Sequence, residues 1–147
     1  MRVFFDGRRH KIHLSHNRCY HHNLKVAGSI YSESMYSAGL ACFVDGAKTT
    51  TVIGCHVSIL LSGSYKVHDC ANFGGFVALV KSTSYEPLVF RNCSFQGYLA
   101  SDFTAGSACF VGFTRVPVSI EHCMVDPKSV FQGILNTATC QTYCRRL

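Results

Sequence analysis

The chain has 147 residues, of which 48% are hydrophobic and 15% charged, with a formal charge of +6. That length suits one domain, and the apolar fraction suffices for one continuous core. Gly, Ser or Lys interrupts the longest apolar runs, which excludes a transmembrane helix, and no long Pro/Ser/Gly linker divides the chain. No apolar signal-peptide core follows Met1, so the sequence reads either as a cytoplasmic protein or as a piece of a longer secreted chain.

Residues 1–18 are expected to form an opening strand and cap, with Val3, Phe5, Ile12 and Leu14 set among basic residues. The basic excess gathers here, in Arg8, Arg9, His10, Lys11, His13, His16 and Arg18. Arg8, Arg9, Lys11 and Arg18 are therefore candidate anion-binding residues. The plainer reading is a solvated end whose charges block edge pairing. A nucleic-acid partner is not expected.

From Cys19 the chain is periodic. Residues 19–131 are expected to form repeat coils, and residues 132–147 a C-terminal cap or tail. Two short cores recur in the same order. The first reads NLKVAG at Asn23 to Gly28, GCHVSI at Gly54 to Ile59, NCSFQG at Asn92 to Gly97 and HCMVDP at His122 to Pro127. The second reads AGLACFV at Ala38 to Val44, ANFGGFV at Ala71 to Val77 and AGSACFV at Ala105 to Val111. The fourth repeat has no copy of the second core.

Within the first core, Leu24, Cys55, Cys93 and Cys123 share the second place, and Val26, Val57, Phe95 and Val125 the fourth. Lys25, His56, Ser94 and Met124 lie between them and are mostly polar. Apolar residues at alternate places predict a strand with one buried face. The phase extends upstream through Thr50 and Val52, Leu88 and Phe90, Val118 and Ile120, and downstream to Ile30, Leu61 and Leu99. Asn23, Gly54, Asn92 and His122 open the copies. Asn and Gly tolerate left-handed backbone angles, so a corner is predicted there, with a second at Gly28, Gly97 and Pro127. Aligned on their shared letters, the second cores predict buried columns of Phe43, Phe76 and Phe110, then Val44, Val77 and Val111. In that alignment Cys42 and Cys109 stand where the second copy has glycine.

The first cores start 31, 38 and 30 residues apart (23 to 54, 54 to 92, 92 to 122). Such periods mark a solenoid, in which each repeat buries its face on the next. An apolar period of two, with frequent glycine, β-branched and aromatic residues, argues for strands rather than the helices of ankyrin or tetratricopeptide repeats. A solenoid of strands is a parallel β-helix, with equivalent side chains about 4.8 Å apart.

NLKVAGSI, NCSFQG and the G-x-x-x-F-V anchors resemble the GLUG-type repeats of bacterial surface and secreted β-helix proteins, common in large proteins of gut bacteria. The opening FFDGRRHKIHL is similar to the motif that leads into such repeats, an apolar residue followed by D-G-x-G-H-T-I/L. The likeness runs from about Phe4 to Val130. Arg9 stands where the family often has glycine, and the segment from Leu14 to His22 is shorter and more basic. With the right-handed rule for parallel crossovers, the resemblance implies an all-β, right-handed parallel β-helix of about four short coils. It also implies a secreted or cell-surface location as part of a longer chain, against a cytoplasmic one for a stand-alone protein.

Nine cysteines and eight histidines suggest a metal, but there is no C-x2-C pair, and the C-x3-C of Cys140 and Cys144 lacks a second pair. Adjacent His21 and His22 diverge on a strand. No metal or other cofactor is expected. The column of Cys55, Cys93 and Cys123 reads as reduced core cysteines, the alternative being a disulfide between neighbouring coils, which needs favourable side-chain directions. The pairs Cys55–His56 and His122–Cys123 diverge too, one residue inward and one outward, which argues against a Cys/His nucleophile. The eight carboxylates fall in different registers and form no column of the kind that β-helical polysaccharide lyases and hydrolases need. Aromatic residues lie in or near the variable segments 32–37, 63–69 and 100–104. Tyr31, Tyr36, Tyr65, Tyr98 and Phe103 are therefore candidate ligand-binding residues, able to stack on sugars or anchor a protein, or else to cover the ends of the core.

The function expected is a non-catalytic module for adhesion, ligand binding or spacing. Its partners would be a carbohydrate or a host or cell-surface protein, with self-association through an end of the β-helix. The alternatives are a carbohydrate-active β-helix enzyme fragment, and a cytoplasmic module that binds an anionic polymer through the basic start.

Overall fold

A computed structural model describes residues 13–14, 20–44, 50–63, 72–80, 86–101 and 106–132. Sixteen strands, and no helix, lie among them: β1 (His13–Leu14), β2 (Tyr20–His22), β3 (Lys25–Ser32), β4 (Tyr36–Ala38), β5 (Ala41–Val44), β6 (Thr50–Ile53), β7 (His56–Gly63), β8 (Asn72–Gly74), β9 (Val77–Val80), β10 (Leu88–Arg91), β11 (Ser94–Ser101), β12 (Gly106–Ala108), β13 (Val111–Thr114), β14 (Val118–Glu121), β15 (Met124–Val125) and β16 (Val130–Gln132).

Every pairing is parallel. The strands sort into sheets of order β2-β6-β10-β14, β3-β7-β11-β15, β4-β8-β12 and β1-β5-β9-β13, with β16 extending the second by pairing with β11. The chain visits these sheets in the same sequence each time, stepping one strand along each. The result is all-β, with parallel strands stacked in sheets, and is compatible with a β-solenoid.

The first core has the register its pattern predicts. Lys25, His56, Ser94 and Met124 are directly paired, as are Ile30, Leu61 and Leu99. Thr50, Leu88 and Val118 pair upstream. Val57, Ile59, Leu61, Phe95 and Leu99 are buried, because the alternation turns every second side chain inward. The corner residues have left-handed backbone: Asn23 at φ 54°, Gly54 at 61°, Asn92 at 51° and His122 at 51°. Their amides continue the ladder across the bend, Asn23 N–H to Ile53 O, Gly54 N–H to Arg91 O and Asn92 N–H to Glu121 O. At the second predicted corner, Gly28 (φ 142°) and Gly97 (φ 156°) bend strands that run on through them, and Ile59 holds the equivalent place in β7.

The second and third copies of the second core pair as their letters align, Gly74 with Ala108 and Val77 with Val111, but the first copy pairs three residues away. Ala38 lies beside Gly74, and Ala41 beside Val77, so Leu40 and not Phe43 stands in the column of Phe76 and Phe110. Leu40, Phe76 and Phe110 are buried. The rings of Phe76 and Phe110 stack at 5.1 Å and 5°, and Phe90 meets both edge-on at 5.5 and 5.2 Å. Phe43 pairs with Leu79, is only half-buried and takes the edge of Tyr36 at 5.0 Å. Val44 likewise pairs with Val80 rather than Val77. Cys42 falls beside Ala78, while Cys109 does hold the glycine place of Gly39 and Gly75. Close packing sets this register. A Cβ on Gly39 would lie 2.7 Å from Val57 and 2.8 Å from Ile59, and one on Gly75 would lie 2.6 Å from the Phe95 ring. Those two glycines must therefore fall together under the inward column of the first core.

Candidate ligand-binding face

The sheet β3-β7-β11-β15 with β16 keeps one face wet. β7 shows why: His56, Ser58 and Leu60 are exposed, alternating with buried Val57, Ile59 and Leu61. The parallel register carries this phase across the sheet, so the outward residues form four rungs. They run Lys25–His56–Ser94–Met124, then Ala27–Ser58–Gln96, then Ser29–Leu60–Tyr98–Val130, then Tyr31–Ser62–Ala100–Gln132.

Among the described residues, the large hydrophobics that stand exposed are Tyr31 (65%), Leu60 (55%), Met124 (63%) and Val130 (50%). All four are on this face. Leu60, Tyr98 and Val130 share a rung, with Tyr31 on the next. The polar groups around them are ordered by contacts between rungs or strands. His56 Nδ1 is 2.6 Å from Ser94 Oγ, and the Tyr98 hydroxyl donates to Gln132 Oε1. The Gly97 amide donates to Ser129 Oγ at 3.2 Å, tying the bend in β11 to the turn before β16. Lys25 is the sole formal charge on the strands of this sheet. The surface is thus neutral, part aromatic and aliphatic, part hydroxyl and amide, which suits a neutral polar ligand better than an ionic one.

The residues predicted for ligand binding divide. Tyr31 and Tyr98 lie on this face, on strands rather than in loops. Tyr36 is half-buried on β4 against Phe43. Tyr65 and Phe103 lie outside the described residues, as do the anion-binding candidates Arg8, Arg9, Lys11 and Arg18. Leu60, Met124, Val130 and Gln132 were not singled out by sequence, though the outward phase of the first core had already marked the place of the first two.

Other chemistry-bearing side chains are engaged elsewhere. Glu121 and Arg91 pair across β14 and β10 at 2.6 Å, and this contact holds the Glu121 carboxyl below the usual carboxylate range. Asp126 Oδ1 accepts the Lys128 amide at 2.7 Å within its own turn. No group of three or more His, Cys, Asp or Glu side chains is placed to hold a metal ion among the described residues. No described helix is long and apolar enough to cross a membrane.

Inside the corner beside this face run the stacked thiols of Cys55, Cys93 and Cys123. Each Sγ lies 3.3–3.4 Å from the carbonyl oxygen two residues earlier, on Ile53, Arg91 and Glu121, so the three adopt one geometry. Hydrogen bonding between the thiols differentiates them. The Cys55 thiol is pushed up by its bond to Cys93 and by burial, and the Cys93 thiol is pushed up by its bond to Cys123. Cys123, the acceptor at the end of the series, is lowered to about 7.

No protein-family model, curated protein or solved structure matches this chain.

Proposed function

We propose that the chain is a right-handed parallel β-helix of about four short coils that serves as a non-catalytic binding module. It would belong to a bacterial surface or secreted protein of the GLUG-repeat kind, to which its repeats are similar. The ligand lies on the outer face of the sheet β3-β7-β11-β15, and a neutral polysaccharide chain fits its chemistry. One observation carries this reading: the exposed large hydrophobics Tyr31, Leu60, Met124 and Val130 gather on that face, interleaved with hydroxyl and amide groups. Scattered exposed apolar residues need no explanation, whereas their concentration on one sheet face marks an interaction surface. Tyr31 and Tyr98 supply ring faces for stacking on sugars, and Gln96, Gln132, Ser58 and Ser62 supply hydrogen bonds.

The test is retention on insoluble neutral polysaccharides (cellulose, xylan and mannan), compared with polygalacturonate. Retention on a neutral matrix, lost in Leu60→Glu and in the pair Tyr31→Ala with Tyr98→Ala, is expected. Retention unaffected by those changes, or confined to polygalacturonate, would move the site off this face. Release of soluble sugar from any matrix would favour the enzyme alternative.

A further inference from the structure

We infer that Cys123 and Cys93 are a peroxide-responsive thiol pair, in which Cys123 is oxidised first and Cys93 closes a disulfide that staples the last repeat to the one before it. Three observations carry this. Ser94 pairs directly with Met124, so the preceding residues Cys93 and Cys123 stand side by side on neighbouring parallel segments. The Met124 amide donates to Cys93 O at 2.9 Å and the Cys93 amide donates to Cys123 Sγ at 3.3 Å, so the contact is ordered on both sides. Neighbouring parallel segments place equivalent Cα atoms about 4.8 Å apart, inside the span that a disulfide bridges.

Access decides which sulfur reacts. Cys55 and Cys93 are 1% and 2% exposed, whereas Cys123, in the last of the stacked cores, is partly exposed. The Cys93 amide points its hydrogen at Cys123 Sγ, and this stabilises the Cys123 thiolate. Glu121 opposes this with its negative charge, but its carboxylate is held by Arg91 and by the Ser119 hydroxyl at 3.0 Å.

The chemistry balances. The Cys123 thiolate attacks one oxygen of hydrogen peroxide, the O–O bond breaks, and hydroxide leaves, giving the sulfenic acid. The Cys93 sulfur then attacks the Cys123 sulfur, the S–O bond breaks, and the hydroxyl departs as water with the Cys93 proton. Two thiols and one peroxide give one disulfide and two waters. An external thiol reverses the step by exchange at the more exposed sulfur. Cys55 remains reduced beneath the bridge, since only one partner of Cys93 can be taken. None of this depends on what the sheet face binds.

Peptide mapping of the full chain after exposure to hydrogen peroxide reads the outcome. The expected product is a Cys93–Cys123 crosslink, reversed by dithiothreitol. Cys93→Ala should stop at a Cys123 sulfenic acid that dimedone traps, and Cys123→Ala should leave Cys93 and Cys55 unoxidised. Iodoacetamide labelling of the unmodified protein provides a readout that needs no variant. At pH 7.5 Cys123 should react at least about tenfold faster than Cys93 or Cys55. A Cys55–Cys93 crosslink, a Cys123 that passes to sulfinic acid without crosslinking, or equal labelling of the three thiols would overturn the assignment.

Discussion

Two strands of one repeat, β7 and β9, use the same parallel pairing and end with opposite surfaces. β7 alternates strictly, with His56, Ser58 and Leu60 exposed and Val57, Ile59 and Leu61 buried. β9 is buried at all four positions, Val77, Ala78, Leu79 and Val80. β10, in the next repeat, is similar at Leu88, Val89 and Phe90. Parallel pairing alone therefore does not decide what a sheet offers to a partner. A continuous apolar run is a strand covered on both faces, and alternation is a strand with one face left to water. The wet side of this protein is the side with the alternating strands, and it is there that exposed apolar side chains gather.

The largest effects should come from the covered side. Phe76 is fully buried between Phe90 and Phe110, so Phe76→Ala should cost about 3–5 kcal/mol in urea unfolding. Phe43→Ala, a half-buried ring outside that column, should cost about 1–2 kcal/mol. Equal losses would restore the alignment by letters, with Phe43 in the column, and contradict the observed register.

The bends sharpen the contrast along the sheet itself. Gly28 and Gly97 have similar backbone angles, but a Cβ on Gly28 meets nothing within 4 Å, whereas one on Gly97 runs into the Ile59 backbone. Gly97→Ala should therefore cost more than about 2 kcal/mol, and Gly28→Ala about 1 kcal/mol, the backbone strain alone. Thermal melts of the two variants would separate them, and indistinguishable melting temperatures would remove the close approach of β7 and β11 from the account.

At the left-handed corner the expected effect is smaller. Asn92→Ala should lose about 1 kcal/mol, while Asn92→Gly should stay close to the parent. A stable Asn92→Ala protein would mean that the corner is not held in the left-handed region. On the wet face, Leu60→Ser should change stability by no more than about 0.5 kcal/mol. A larger loss would show that Leu60 is part of the packing rather than of a surface.

These contrasts also explain what was legible in the sequence. The first core was readable because two constraints coincide in it: inward residues at every second place, and Asn, Gly or His at one bend. The register of β3, β7, β11 and β15 follows from them. The first copy of the second core is out by three residues in an alignment by letters, because AGLACFV and ANFGGFV share letters that do not fix pairing. What fixes it is the close approach of Val57, Ile59 and Phe95 to Gly39 and Gly75, a contact between segments far apart in the chain. Tyr31 and Tyr98 lie beside variable segments in the sequence, yet they stand out from strands. Leu60 and Met124 stand at outward places that the phase already marks, but their gathering with Tyr31 and Val130 is visible only once the phase is carried across the sheet. Val130 and Gln132 needed the pairing of β16 with β11, which no repeated letters announce.

The most direct test of the wet face as the binding surface is an amide chemical-shift map, recorded with a soluble hexasaccharide of the neutral polysaccharide that retains the protein. The outward rungs, from Lys25 and His56 to Tyr98, Val130 and Gln132, should shift together while Val77 to Val80 stay still. Shifts centred on β9 or β10, with the rungs of β3, β7 and β11 unmoved, would contradict it.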